Sequence, residues 1–243
     1  MRRGLTLQGL WGYTNVDVAI GIGIALYPSG SMVLTPIGTN LISADNGTDL
    51  IYVHSGITAT ISTSFATPGA IPRDMAYDGI NLISADAGTD LIYIHSGVTA
   101  TISSSFATPG ANFRVMTYDG INLISADAGT GLIYIHSGVT ATISSSFATP
   151  GANVRGMAYD GANLITADAD TDLIYVHSGI TSTISTSFAT PDGSITGLTY
   201  DGTNLISADN GTDLIYVHSG ITATISTSFA TPGEVNRGLT YTG

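Results

Sequence analysis

From residue 40 onward the chain is built of short apolar runs separated by small polar clusters, a pattern of strands and turns. Residues 114–154 show the plan: RVMTYDG, INLISADAG, TGLIYIHSG, VTATISSSFATPGANV. Each run is rich in β-branched or aromatic residues and ends on a turn signal, so each predicts a strand. Asp119-Gly120 is a dipeptide that tolerates positive φ and joins the first strand to the second. Ala126 to Thr130 supplies a longer second turn, His136-Ser137-Gly138 closes the third strand, and Pro150-Gly151 ends the fourth. Leu132 to Ile135 is apolar on both faces, as in a strand covered on two sides. The fourth run alternates instead, with Thr140, Thr142, Ser144 and Ser146 facing one way.

This plan recurs. Asn-Leu-Ile-Ser/Thr-Ala-Asp begins at Asn40, Asn81, Asn122, Asn163 and Asn204, a constant spacing of 41 residues. Four antiparallel strands in about 40 residues is the period of a β-propeller blade. Five complete units run 32–72, 73–113, 114–154, 155–195 and 196–236. The remainder, residues 1–31 and 237–243, predicts a sixth, composite blade. In it RGLTYTG (237–243) is the first strand, Leu5–Leu7 the second, Leu10–Tyr13 the third and Val16–Leu26 the fourth. The expectation is an all-β, six-bladed propeller occupying 1–243 as a single domain, its closing blade shared by both termini. The alternative is five blades with an extra N-terminal hairpin. Small residues near the start of the first strand, Gly156, Gly197 and Gly238, suit the crowded axis of such a ring.

Composition narrows the partners. Six arginines, no lysine and 18 acidic residues give a net charge of −12. So few cations cannot neutralise a run of phosphates, which argues against nucleic acid. No apolar stretch is long enough for a membrane helix, so membrane insertion is not expected. The absence of cysteine removes disulfides and thiolate metal sites. Met1-Arg2-Arg3 before apolar residues superficially resembles an export signal. Asp17 interrupts that run, and the segment is needed for the sixth blade, so it reads as structure.

Chemically suggestive side chains recur in every unit, which weakens catalytic readings. His54, His95, His136, His177 and His218 stand on successive blades, at least ~10 Å apart by sheet spacing, too far to share a metal. They read as hydrogen-bonded residues at strand ends. Asp45 to Asp49 and its copies lack an EF-hand's ligand pattern and read as turns. No nucleophile elbow, zinc-protease helix or phosphate-cradling loop is present, and the chain reads as non-enzymatic, without a cofactor or metal.

The copies differ chiefly in two connections expected on one face of the disc. One is the link between blades: GAIPRD (69–74), GANFRV (110–115), GANVRG (151–156), DGSITG (192–197) and GEVNRG (233–238). The other is the second turn, which ends on Asp49, Asp90, Gly131, Asp172 and Asp213. Binding residues tend to lie on loops held by a rigid scaffold, so this is the candidate binding face. Arg73, Arg114, Arg155 and Arg237 begin first strands there and predict a partial ring at one mouth of the axis. They read either as partners of nearby turn aspartates or as an anion or sugar-carboxylate site. Phe113 is the large aromatic of the varied link, a contact residue or a lid over the neighbouring strand.

The unit YDGxNLISADxGTDLIYxHSGxTxTISxSFATP resembles propeller repeats of phage virion proteins and of large bacterial surface proteins. Distantly it is similar to NHL and WD-repeat propellers, although the Trp-Asp dipeptide is absent. The resemblance implies a virion or extracellular location and a tail- or fibre-type propeller contacting a host surface, a cell-surface glycan or other assembly subunits. Alternatives are a secreted lectin and a filament subunit.

Overall fold

The computed structural model describes residues 39–243 in full, and the backbone of the strands Ile22–Leu26 and Met32–Pro36. The chain divides into two compact units, Met1–Gly38 and Thr39–Gly243. In the first, Ile22–Leu26 and Met32–Pro36 pair antiparallel, Ile24 opposite Leu34.

The second unit is a β-propeller of five four-stranded antiparallel sheets. Blade I contains Pro72–Tyr77, Leu82–Asp86, Leu91–His95 and Ile102–Ala107, from the axis outward. Blade II contains Phe113–Tyr118, Leu123–Asp127, Leu132–His136 and Ile143–Ala148. Blade III contains Val154–Tyr159, Leu164–Asp168, Leu173–His177 and Ile184–Ala189. Blade IV contains Ile195–Tyr200, Leu205–Asp209, Leu214–His218 and Ile225–Ala230. Blade V takes its innermost strand, Asn236–Tyr241, from the far end of the sequence and adds Leu41–Asp45, Leu50–His54 and Ile61–Ala66.

Blade V corrects the expected count of six. Residues 237–243 do not await a separate blade: Leu239 lies opposite Ser43 and Tyr241 opposite Leu41. The position expected for Met32–Pro36 is therefore filled. The chemistry of the turn explains the choice. In blades I to IV the first strand ends Tyr-Asp-Gly, and the aspartate caps the turn; Asp78 Oδ1 accepts from the amides of Ile80 and Asn81 at 2.8 and 2.6 Å. Residues 36 and 37 are Pro and Ile, which bring neither a ladder N–H nor a cap. Thr242 takes over the capping role, its Oγ1 accepting from Asn40 N at 3.0 Å. The segments expected to form the other strands of a sixth blade, 5–7 and 10–13, lie outside the described residues, as does most of 16–26.

The core lies between blades. Blade I sends Ile83 and Ile92 against Phe113, Met116 and Leu123 of blade II, and matching apolar clusters fill the other four interfaces. Two of them flank blade V, where Leu239 packs on Ile206 and Ile215, and Ile42 and Ile51 pack on Met75 and Leu82. The ring is therefore closed by the same burial of apolar area at every joint. At the axis the inner strands come so close that a Cβ on Gly197 would stand 3.1 Å from Gly238 Cα. The fourth strands carry exposed Ser and Thr on both faces, rather than the alternation expected. Among the described residues no helix is long and apolar enough to cross a membrane.

Candidate functional site

The four predicted arginines converge on one mouth of the axis, and the backbone explains how. In blade II, Phe113 lies opposite Asp127 and Val115 opposite Ala126, so Arg114 is the extra residue of a β-bulge. The same shift falls on Arg73, Arg155 and Thr196, and a wider one spans Arg237 and Gly238. A bulge bends the strand and re-aims a side chain. Here it points each residue to the axial mouth, where Arg73, Arg114, Arg155, Arg237 and Thr196 enclose a cavity of only about 10 Å³.

Among the described residues these guanidiniums have no aspartate in contact, contrary to the first of the two readings of them. The first aspartate of each second turn is fully buried and occupied with amides. Asp86 Oδ1 accepts from Gly88 N and Thr89 N, both at 2.9 Å, while its Oδ2 accepts from Ile71 N in the inter-blade link at 2.6 Å. Asp45, Asp127, Asp168 and Asp209 bind the links at Val235, Asn112, Asn153 and Ser194 in the same way. Nε of Arg73, Arg114 and Arg237 is buried without a hydrogen-bond partner. Arg155 Nε donates to Asn153 Oδ1 at 2.9 Å. Burial first, then repulsion from the neighbouring arginines, lowers the affinity of Arg73, Arg155 and Arg237 for their protons; more distant Asp86, Asp170 and Asp45 partly offset this. Like charges gathered at one mouth, with no carboxylate in contact among the described residues, form a site that an anion would stabilise.

The ring is incomplete at blade IV, whose link reads DGSITG and places buried Thr196 where the others have Arg. Beside that gap a cleft of about 330 Å³ opens between Arg155 and Arg237. Asn153, Ser194, Thr196 and Asn210 also line it. Guanidiniums flanked by amides and hydroxyls can hold a carboxylate or sulfate together with neighbouring hydroxyl groups. The sequence drew attention to the arginines, but not to these neutral residues, which only the missing fifth arginine pointed toward.

Other predicted residues lie elsewhere. Asp49, Asp90, Asp172 and Asp213 are exposed at the outer end of the second turn, with φ of 55 to 56°. Their carbonyls receive the amides of Thr67, Thr108, Thr190 and Thr231 at 2.9 Å. They shape the turn and stay apart from the arginines; Gly131 is the copy that adopts this backbone without strain. Phe113 is neither contact nor lid. It is 1% exposed, in the core between blades I and II, because its position in the strand is that of Pro72, Val154 and Ile195.

The five histidines are fully buried. His54 Nδ1 lies 2.6 Å from Thr58 O, and its Nε2 lies 2.9 Å from Ser43 Oγ. A carbonyl only accepts, so Nδ1 carries the proton and Nε2 receives the serine hydroxyl. The copies repeat this, with Thr166 in place of Ser in blade III. Each ring also meets a phenylalanine of the neighbouring blade at 6.0 to 6.3 Å, and His54 with Phe229 closes the circle. Burial pulls all five proton affinities down. These four Ser–His pairs and the Thr166–His177 pair are buried away from solvent. Among the described residues no three His, Asp or Glu side chains are grouped to hold a metal ion.

One buried acid was missed. Asp74 stands in blade I where the other inner strands carry Val115, Gly156, Gly197 and Gly238, and it is 1% exposed. Its Oδ2 accepts from Met116 N at 2.7 Å, while Oδ1 has no partner. Burial pushes this carboxyl well above the usual range. The break in the small-residue pattern was its signal.

No family model matches the chain, and no curated protein does. Among solved structures it is similar to the glutaminyl cyclase of Myxococcus xanthus, with a TM-score of 0.55 and 11% identity over 75% of this chain and 82% of that one. At that identity the likeness concerns the fold alone. It nevertheless overturns one expectation, that the chain is not an enzyme: an enzyme is built on a comparable fold, and repetition of the blades does not exclude catalysis.

Proposed function

We propose that this propeller binds an acidic saccharide, with the carboxylate or sulfate held at the arginine mouth and the hydroxyls in the cleft between Arg155 and Arg237. The observation that carries the reading is the concentration of every arginine of residues 39–243 at that mouth, with no carboxylate in contact among the described residues. In a chain of net charge −12, cations gathered at one point favour an anion of limited size. They do not form the basic track that a nucleic-acid backbone requires. The partner class is then an acidic cell-surface glycan, met by a propeller displayed on a virion or in the extracellular space. The exposed Ser and Thr of the outer strands suit such a setting.

Calorimetry with glucuronic acid, a sulfated monosaccharide and glucose tests this. Both acids should saturate while glucose does not, and Arg155→Gln with Arg237→Gln should weaken them about tenfold or more, as loss of charge-assisted hydrogen bonds requires. Equal binding of glucose, or binding indifferent to both substitutions, would overturn the reading.

A further inference from the structure

The opposite mouth of the axis has a different chemistry, and its argument is independent of the arginine site. Each inner strand ends there on a tyrosine: Tyr77, Tyr118, Tyr159, Tyr200 and Tyr241 surround a basin of about 450 Å³. That volume falls within the range of small-molecule sites. Carboxylates join the rings, for Asp78, Asp119 and Asp160 also line the basin, and among the described residues no arginine or lysine does. Their hydrogen bonds come from neutral donors of their own turns. Asp119 Oδ1 accepts from Ile121 N and Asn122 N at 2.8 and 2.6 Å, and Asp160 repeats this with Ala162 and Asn163. The carboxylates are thus fixed in place while their negative charge stays uncompensated.

We infer that this basin is a binding site for an organic cation with diffuse charge, of the quaternary ammonium type. Aromatic faces attract a cation through their quadrupole, more strongly where it is desolvated, and fixed carboxylates add Coulomb attraction. A metal ion is the poorer occupant. It needs several oxygens converging at coordination distance, whereas these carboxylates sit on separate blades and are turned toward their own amides; no metal-holding group occurs among the described residues. Burial, and after it the Asp78 charge, raises the proton affinity of Tyr77 and Tyr118, so these two phenols remain neutral donors. The rim is also asymmetric. Ile80 and Ile121, each 74% exposed, stand in the turns of adjacent blades I and II, where blades III and IV have Ala162 and Thr203. An apolar substituent on the cation would lie along that side.

The test compares choline with 3,3-dimethylbutan-1-ol, its uncharged carbon isostere, by calorimetry on the unmodified chain. Choline should saturate, bind about tenfold or more tightly than the isostere, and weaken severalfold in high salt. Equal affinity for the two, or no saturable choline binding up to about 50 mM, would overturn the inference. Variants then locate the site. Asp78→Asn, Asp119→Asn and Asp160→Asn together keep the turn acceptors and should weaken choline severalfold. Tyr118→Leu with Tyr159→Leu should weaken it further, and Arg155→Gln should leave it unchanged. Undiminished choline binding in the Asn and Leu variants, with a native circular dichroism spectrum, would also overturn it.

Discussion

The two ends of the axis are made from the same five inner strands and present opposite charge. At the arginine end the loops are held by a buried aspartate that binds backbone amides, such as Asp86 to Ile71 N. Side chains of the link are thereby released from structural duty, and the sequence varies from GAIPRD to DGSITG. At the tyrosine end the aspartate of the turn is itself the cap and faces the basin, so structure and surface chemistry share one residue. In blades I to IV the Tyr-Asp-Gly turn varies only at the position after the glycine, occupied by Ile80, Ile121, Ala162 and Thr203. The lesson is that a repeat diversifies where its backbone hydrogen bonds are satisfied by buried groups, and stays uniform where half-buried side chains that face a cavity satisfy them.

The comparison is broken most completely by deleting residues 236–243, which takes Arg237 from one mouth and Tyr241 from the other. Calorimetric unfolding should lose cooperativity and the melting temperature should fall by more than about 10 °C, because a strand ladder and the Leu239 side of one interface cluster go together. Next in size is acid. The histidine turns lie on the tyrosine side, and each ring holds its proton less tightly in the fold than the ordinary 6.5. The unfolded chain therefore binds more protons below that value. Stability is full above about pH 6.5 and is lost as pH falls through the window beneath, by about 1.4 kcal/mol per histidine per pH unit at most. Amide protection of residues 55–60 and their copies, taken relative to the unfolded chain at the same pH, should fall in acid before that of the arginine-side links.

Asp74 runs with the opposite sign. Its folded affinity for a proton is raised, so the native state binds more protons, and its contribution declines as pH rises above the ordinary carboxyl value. Asp74→Asn should stabilise the ring at pH 7 by about 1–3 kcal/mol, and urea titrations at pH 4 and pH 7 should show the gain mainly at the higher pH. The smallest expected change sharpens the contrast instead. Thr196→Arg completes the cationic ring and adds like-charge repulsion of a few tenths of a kcal/mol, since these groups remain half exposed. Sulfate should then raise the melting temperature more than it does for the unsubstituted chain, while saccharide binding falls as the cleft fills.

Much of this architecture was legible. The spacing of 41, the Tyr-Asp-Gly turns and the four runs per unit specified the blade, and the arginines were placed at one mouth. The blade count was misread because Met32–Thr35 resembles a first strand; the informative residues were Pro36 and Ile37, which cannot form the turn. Phe113 looked like a loop aromatic because a bulge residue is indistinguishable in sequence from a ladder residue, and the bulge at Arg114 moves Phe113 into the core. The cleft was unreadable because its neutral lining residues acquire meaning only from their position beside Arg155 and Arg237.

The joining of Asn236–Tyr241 to Leu41–Asp45 also sets a schedule for biosynthesis. Blades I to IV each contain their own four strands in sequence order and can form as they leave the ribosome. Blade V cannot, because the contact of Asn40 with Thr242 spans 202 positions. Until translation reaches residue 241, Leu41–Asp45 lacks its inner partner Asn236–Tyr241, and closing so large a loop is slow. During that interval the terminal strand of a neighbouring nascent chain is a chemically identical partner. The feature that seals the monomer is therefore also its route to strand-swapped dimers when many copies are made at once on one message.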